Sequence, residues 1–169
     1  MNGKSGKILF VCLGNICRSP IAEGIFAHLV RERGLEGRYL ADSAGTGDWH
    51  CGSPPDSRAL AVAGKRGVHL PSVCRQVAKT DFQEFDVIVA MDKNNRKDLM
   101  AICPLGLHGK IRLMRDFDTA GGKGADVPDP YYGGPHEFDN VYEMVNRCCS
   151  SLLEALESGS IVSGDVAPA

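Results

Sequence analysis

The sequence predicts a single three-layer α/β/α domain built on a parallel sheet, and three observations carry that expectation. Apolar runs of strand length alternate along the chain with amphipathic segments of helix length. The clearest of those runs are continuously apolar, without the in-and-out alternation of a half-exposed sheet. A length of 169 residues fits one domain with a substantial core that needs no metal or disulfide staple. Strands that alternate with helices form parallel units with right-handed crossovers, and binding sites in such sheets lie beyond the carboxyl ends of the strands.

Residues 7–11 (KILFV) are the first strand, buried on both faces. From residue 20 to about 33 a helix follows, because Ile21, Ala22, Ile25, Phe26, Leu29 and Val30 share one face while Glu23, Arg31 and Glu32 fall elsewhere. Ser19 ahead of Pro20 reads as its N-cap and first turn. A second strand is expected over 39–44. After a glycine-rich loop, Pro54 and Pro55 announce a helix over 56–63. Residues 85–91 (FDVIVAM) form the clearest buried strand, and Asp92 caps a short helix through residue 100. A weaker strand at 111–114 precedes a loop rich in glycine and proline over 121–135, and residues 138–157 close the domain as a long amphipathic helix. The domain thus spans 1–158, and the small, polar segment 159–169 reads as a frayed tail.

An apolar content of 43% with 24% charged residues and a formal charge of -2 gives no field that would gather nucleic acid or anionic lipid. Partners must be selected by a site. No apolar run approaches the ~20 residues of a membrane span, and the polar N-terminus lacks a signal-peptide core. Seven cysteines, at 12, 17, 51, 74, 103, 148 and 149, form no even framework and no CxxC pair. Mostly free thiols in a reducing cytoplasm are expected. Adjacent Cys148 and Cys149 sit on the long helix and read as packing residues.

The chemistry concentrates in VCLGNICRSP, residues 11–20, between the first strand and the first helix. There the backbone N–H groups are unpaired and the helix dipole adds positive potential, so the loop suits an oxyanion. Gly14 permits a positive φ where the chain wraps tightly, and Asn15 tolerates the same region while lending an amide to hold the loop. Arg18 can return across the mouth with a fork matched to two phosphate oxygens. Cys12 at the base of such a nest is placed as a nucleophile, and Ser19 can donate a hydrogen bond to its sulfur. A zinc pair of Cys12 and Cys17 lacks the other two ligands. Gly3-Lys4-Ser5 precedes the first strand with no upstream glycine, and Gly45-x-Gly47 lacks a third glycine, so neither is a nucleotide loop.

Cys12, five residues, then Arg18 and Ser19 is the pattern of cysteine-dependent phosphatases, and CLGNICRSP resembles more narrowly the low-molecular-weight protein tyrosine phosphatases. The resemblance continues through Ser43 in DSAG, Asp48-Trp49, Pro54-Pro55-Asp56, Arg75-Gln76, Met91-Asp92 and DPYYGG at 129–134, over roughly residues 6–158. It implies a four-stranded parallel sheet in the order 2-1-3-4, of the flavodoxin-like or Rossmann-like class, with no metal and no cofactor. By that resemblance Cys12 attacks phosphorus and forms a phosphocysteine. Arg18 and the loop, Leu13 to Cys17 with Ser19, hold the oxygens. Asp129 in the DP dipeptide protonates the leaving phenolate and then activates water. Pro128 and Pro130 restrict the backbone on either side of that carboxyl.

The same resemblance implies that Ser43 supports the loop and that Trp49, Tyr131 and Tyr132 wall a slot for a phosphoaryl group. Ile16 suits an aromatic ring, whereas related phosphoarginine phosphatases carry threonine there. Cys17 reads as the thiol that traps an oxidised Cys12 as a disulfide. Asp92 reads as a helix cap with an electrostatic role near the acid loop. Many members have a histidine shortly before the Arg-Gln pair. Ser72 stands at that position here and implies a weaker brace for the cradle asparagine.

The expected partners are a phosphotyrosine-containing protein and phosphate or other oxyanions as product or inhibitor, with no nucleic acid. A monomer or weak homodimer in the cytoplasm is expected. An arsenate reductase, a phosphoarginine phosphatase and a non-catalytic phosphotyrosine-binding module are the alternatives on the same fold.

Overall fold

The computed structural model describes residues 4–161. Its sheet contains β1 (Gly6–Cys12), β2 (Tyr39–Gly45), β3 (Val87–Ala90) and β4 (Ile111–Leu113), all parallel, in the order β2-β1-β3-β4. Strand β1 is therefore central, with Cys12 opposite Gly45 at its carboxyl end. Five α-helices surround the sheet: α1 (Arg18–Glu32), α2 (Ser57–Gly64), α3 (Asp81–Glu84), α4 (Lys93–Ile102) and α5 (Pro135–Ser158). Short 3-10 turns at His108–Lys110 and Met114–Phe117 flank β4.

Side chains that alternate along β1 divide the core into two layers. Ile8, Phe10 and Cys12 pack with Phe26 of α1 and Phe138, Val145 and Leu152 of α5. Leu9 and Val11 point to the opposite face, where Phe82 of α3 and Leu99 of α4 cover them. That period-two alternation sends Cys12 to the α1 face, directly below the start of that helix.

The architecture and strand order follow the sequence reading, with local differences. Helix α1 begins at Arg18, one residue after its N-cap, Cys17, and no side chain caps it. The expected Ser19 cap does not form, because the Ser19 hydroxyl is drawn away to Cys12 and Asn15. Helix α5 starts three residues early, with Pro135 at its first position, where a missing N–H costs nothing. The single turn α3 carries no sequence periodicity long enough to announce it. Asp92 does cap α4, accepting from the Asn95 N–H at 2.7 Å. Gly159 closes α5 in the left-handed conformation, and Ile161 beyond it is buried in the core, so the expected frayed tail does not begin at 159. The rest of that segment, 162–169, lies outside the described residues.

Candidate active site

The loop from Cys12 to Ser19 wraps over the end of β1 and is fastened from outside by chain that continues β2. Thr46 N–H donates to the Cys12 carbonyl and Gly47 N–H to the Leu13 carbonyl, both at 2.9 Å. Glycine at 45 permits this approach, since a Cβ there would lie 2.8 Å from the Leu13 carbonyl oxygen. Within the loop, Asn15 adopts the left-handed conformation at φ 55°, alone among the described non-glycine residues. Gly14, expected to supply the positive φ, does not. Its lack of a side chain makes room instead, because a Cβ would meet the His50 ring at 3.2 Å.

Asn15 spends its whole amide on the loop. Its Nδ2 donates to Ser19 Oγ at 2.8 Å and Ser43 Oγ at 3.0 Å, and its Oδ1 accepts from the Arg75 N–H at 3.0 Å. Ser43 Oγ then donates to Glu23 at 2.6 Å. Burial pushes the Glu23 carboxyl above its ordinary value, opposed by the hydrogen bonds from Ser43 and Ser72. Ser72 thus joins the brace through Glu23, where the sequence reading expected only a weakened one. Glu23 itself was assigned off the apolar face of α1, yet it is buried.

At the base, Cys12 Sγ is 3% exposed as a residue, accepts from the Asn15 N–H at 3.2 Å and lies 3.0 Å from Ser19 Oγ. Arg18 is equally buried. Its Nη1 donates to Asp92 Oδ2 at 2.6 Å and to the Val127 carbonyl at 2.9 Å, and its Nη2 lies 3.5 Å from Asp129 Oδ2. Burial alone would lower the Arg18 pKa, but Cys12, Asp92 and Asp129 outweigh it and hold the guanidinium charged. Asp92 therefore does two things with two oxygens, capping α4 with one and orienting Arg18 with the other.

Asp129 reaches the same mouth from the loop before α5, with its side chain 43% exposed and Oδ1 accepting from the Tyr131 N–H at 3.1 Å. The cleft between these groups holds about 310 Å³ and is lined by Ile16, Trp49, His50, Tyr131 and Tyr132 above Cys12 and Arg18. The three aromatic residues expected as slot walls, Trp49, Tyr131 and Tyr132, line this cleft, Tyr131 and Tyr132 edge to face at 4.8 Å between centroids. Arg58, unremarked in the sequence, supports this wall. Its guanidinium lies over the Tyr131 and Phe138 rings and donates to the Gly133 carbonyl at 3.3 Å. His50 was also missed; nothing in its sequence neighbourhood distinguishes it from a surface histidine.

Cys17 is buried beside Cys12, and burial, reinforced by Asp56, pushes its thiol well above the ordinary range. All seven cysteines are free. Among the described residues, no cluster of three or more His, Cys, Asp or Glu side chains is arranged to hold a metal ion, and no helix is long and apolar enough to cross a membrane.

A buried thiol that takes a loop N–H and faces a serine hydroxyl, with a guanidinium at the same cleft and a carboxyl arriving from a separate loop, places the molecule in the class of cysteine-dependent phosphatases. Comparison with known proteins narrows the class. The model for "low molecular weight phosphotyrosine protein phosphatase" matches residues 7–160, and the chain belongs to that family. A chicken protein of the same description is 42% identical over 154 residues, covering 90% of this chain and 96% of its own. A crystal structure of a protein tyrosine phosphatase from Entamoeba histolytica, with Hepes in the active site, superposes with a TM-score of 0.89 at 43% identity, covering 93% of this chain and all of that one. A Drosophila arginine phosphatase superposes with a TM-score of 0.81 at 33% identity, covering 88% and 96%.

Proposed function

We propose that this chain hydrolyses phosphotyrosine in protein substrates, with Cys12 as nucleophile, Arg18 and the loop N–H groups as phosphate clamp, and Asp129 as acid and then base. The observation that carries the reading is the convergence of Cys12, Arg18 and Asp129 on one mouth from two distant segments. Phosphate oxygens seated among the N–H groups of the loop and the Arg18 fork place phosphorus over Cys12 Sγ, in line with the ester oxygen that faces the open slot. Sulfur attacks, the P–O bond breaks and Asp129 gives its proton to the departing phenolate, leaving a phosphocysteine. Ser19, 3.0 Å from the sulfur, stabilises the thiolate when it leaves again. Asp129, now a carboxylate, takes a proton from the water that attacks phosphorus, and phosphate is released.

Ile16 and the aromatic walls favour an aryl group over a guanidinium, which separates this reading from the arginine phosphatase. Cys17, buried and protonated next to Cys12, is suited to close a disulfide on an oxidised Cys12. Free thiols throughout suit a reducing compartment such as the cytoplasm, and a monomer or weak homodimer is in keeping with a site built from one chain. Turnover of phosphotyrosine, phosphoserine and phosphoarginine peptides tests the assignment: the phosphotyrosine peptide is expected to be preferred, and a preference for phosphoarginine would refute it. Cys12→Ser is expected to lower turnover by on the order of 10⁶ with an unchanged circular dichroism spectrum.

A further inference from the structure

Two thiols that look scattered in the sequence meet beside the cradle. Cys51 is exposed in the turn that follows Trp49 and His50, while Cys74 is buried on the segment that carries Arg75. Gly52 N–H donates to the Cys74 carbonyl at 2.9 Å, and Cys74 N–H donates to the Ser53 carbonyl at 2.8 Å. This short ladder holds the two stretches side by side and brings Cys51 next to Cys74, near enough that it adds to the rise of the Cys74 thiol. On its other flank, Cys74 Sγ donates to the Gly14 carbonyl at 3.2 Å. The adjacent Arg75 N–H is the one held by Asn15. Cys74 therefore bridges an accessible surface turn and the floor of the site.

We propose that Cys51 and Cys74 form a thiol–disulfide switch, distinct from the Cys12 and Cys17 pair, whose oxidation weakens the cradle and lowers catalytic efficiency. With hydrogen peroxide as oxidant, the accessible Cys51 sulfur attacks one peroxide oxygen; the O–O bond breaks, and a sulfenic acid and water result. Cys74 sulfur then attacks Cys51 sulfur, the S–S bond forms as the S–O bond breaks, and the Cys74 proton leaves with the oxygen as a second water. Two thiols lose two electrons and peroxide gains them. Burial pushes the Cys74 thiol up to about 11, which keeps it from reacting with peroxide first and leaves it as the resolving partner. Oxidised Cys74 has no S–H, so the Gly14 carbonyl loses its donor inside the loop that holds phosphate. A dithiol restores it by exchange.

The linkage is independent of the catalytic reading; only its effect on turnover rests on it. Cys12→Ser protein, which cannot form the neighbouring disulfide, treated with peroxide and mapped by mass spectrometry without reduction, is expected to show a peptide joined through Cys51 and Cys74, and its absence overturns the proposal. For the functional half, wild-type protein is oxidised with phosphate present to shelter Cys12, freed of phosphate and assayed on an aryl phosphate. A roughly fivefold to tenfold fall in kcat/KM, reversed by dithiothreitol, is expected, while Cys51→Ser protein treated alike keeps its activity. Full activity in the linked protein, or an equal loss in Cys51→Ser, overturns the switch. A failure of the phosphatase reading shows separately, as no turnover before oxidation.

Discussion

The floor and the rim of the cleft are built on opposite terms. On the floor, Cys12, Asn15, Arg18 and Ser19 are almost wholly buried; Cys12 and Ser19 are tied to each other and to Asn15, while Asn15 and Arg18 are held in turn by partners from other segments. On the rim, Asp129 is 43% exposed in its side chain, Tyr132 is 95% exposed, and the carboxyl is tied only by a local turn and a long approach to Arg18. The difference follows from what each must recognise. Phosphate has one shape and one charge, so a fixed set of donors gives the most stabilisation when nothing has to reorganise. On the function proposed above, the leaving group differs from substrate to substrate and must enter and depart, which an acid on an exposed loop suits better than one fixed in the floor.

The sharpest way to test the division is to remove the rim's single acid. Asp129→Ala is expected to lower kcat by about 10²- to 10⁴-fold for alkyl-like leaving groups and far less for activated phenols. A uniform loss across leaving groups, measured with a series of substituted aryl phosphates, would show that Asp129 belongs with the floor. Next in size is Asn15→Ala, which puts at φ 55° a residue without asparagine's tolerance of the left-handed region and strips three hydrogen bonds from the cradle. A loss of about 3 kcal/mol in urea unfolding is expected. Asn15→Gly, which accepts the conformation but not the bonds, should recover about 1 kcal/mol of it.

The smallest expected effect concerns the anchor from which the rim loop departs. Asp118 has no exposed side-chain surface and receives Arg147, Arg115 and the Ala120 N–H. Burial by itself would raise its pKa, but these partners outweigh burial and hold it below the ordinary carboxylate value. A depressed carboxyl binds its proton less readily when folded than when unfolded. Its contribution is therefore full above the unfolded value near 4 and is lost as pH falls through the folded one. Asp118→Asn is expected to cost about 2 kcal/mol at neutral pH, discounted because both arginines keep contact with water. The gap in Tm between wild type and variant should close in acid; a constant gap down to pH 2 would contradict the ion pairing.

The contrast also explains what could be read from the chain alone. Floor residues sit in one contiguous segment after a strand, where spacing and chemistry coincide, whereas Asp129 is reached from the chain alone only through the family resemblance of its DP dipeptide. Residues that act across the fold leave no such mark. Glu23 reads as a polar residue off the apolar face of its helix, since Ser43 and Ser72 reach it only after the sheet has formed. The Val127 carbonyl on Arg18 is a backbone atom and has no signature at all. Ser19 fails as a cap for the same reason: a local rule competes there with Asn15 and Cys12, and the tertiary contacts win. Of the two residues expected to suit a positive φ, only Asn15 adopts it, and what Gly14 does instead depends on His50, which comes from a different loop and takes the space a Cβ would need.

Asn15 gathers Ser19 four residues away, Ser43 twenty-eight away and Arg75 sixty away. Such contacts close late, because long loops must be ordered before they can form. Competence to bind phosphate is then a readout of a completed chain: during refolding from denaturant, helical signal should return before aryl phosphate turnover, and the lag between the two measures the time taken for residue 75 to find the cradle.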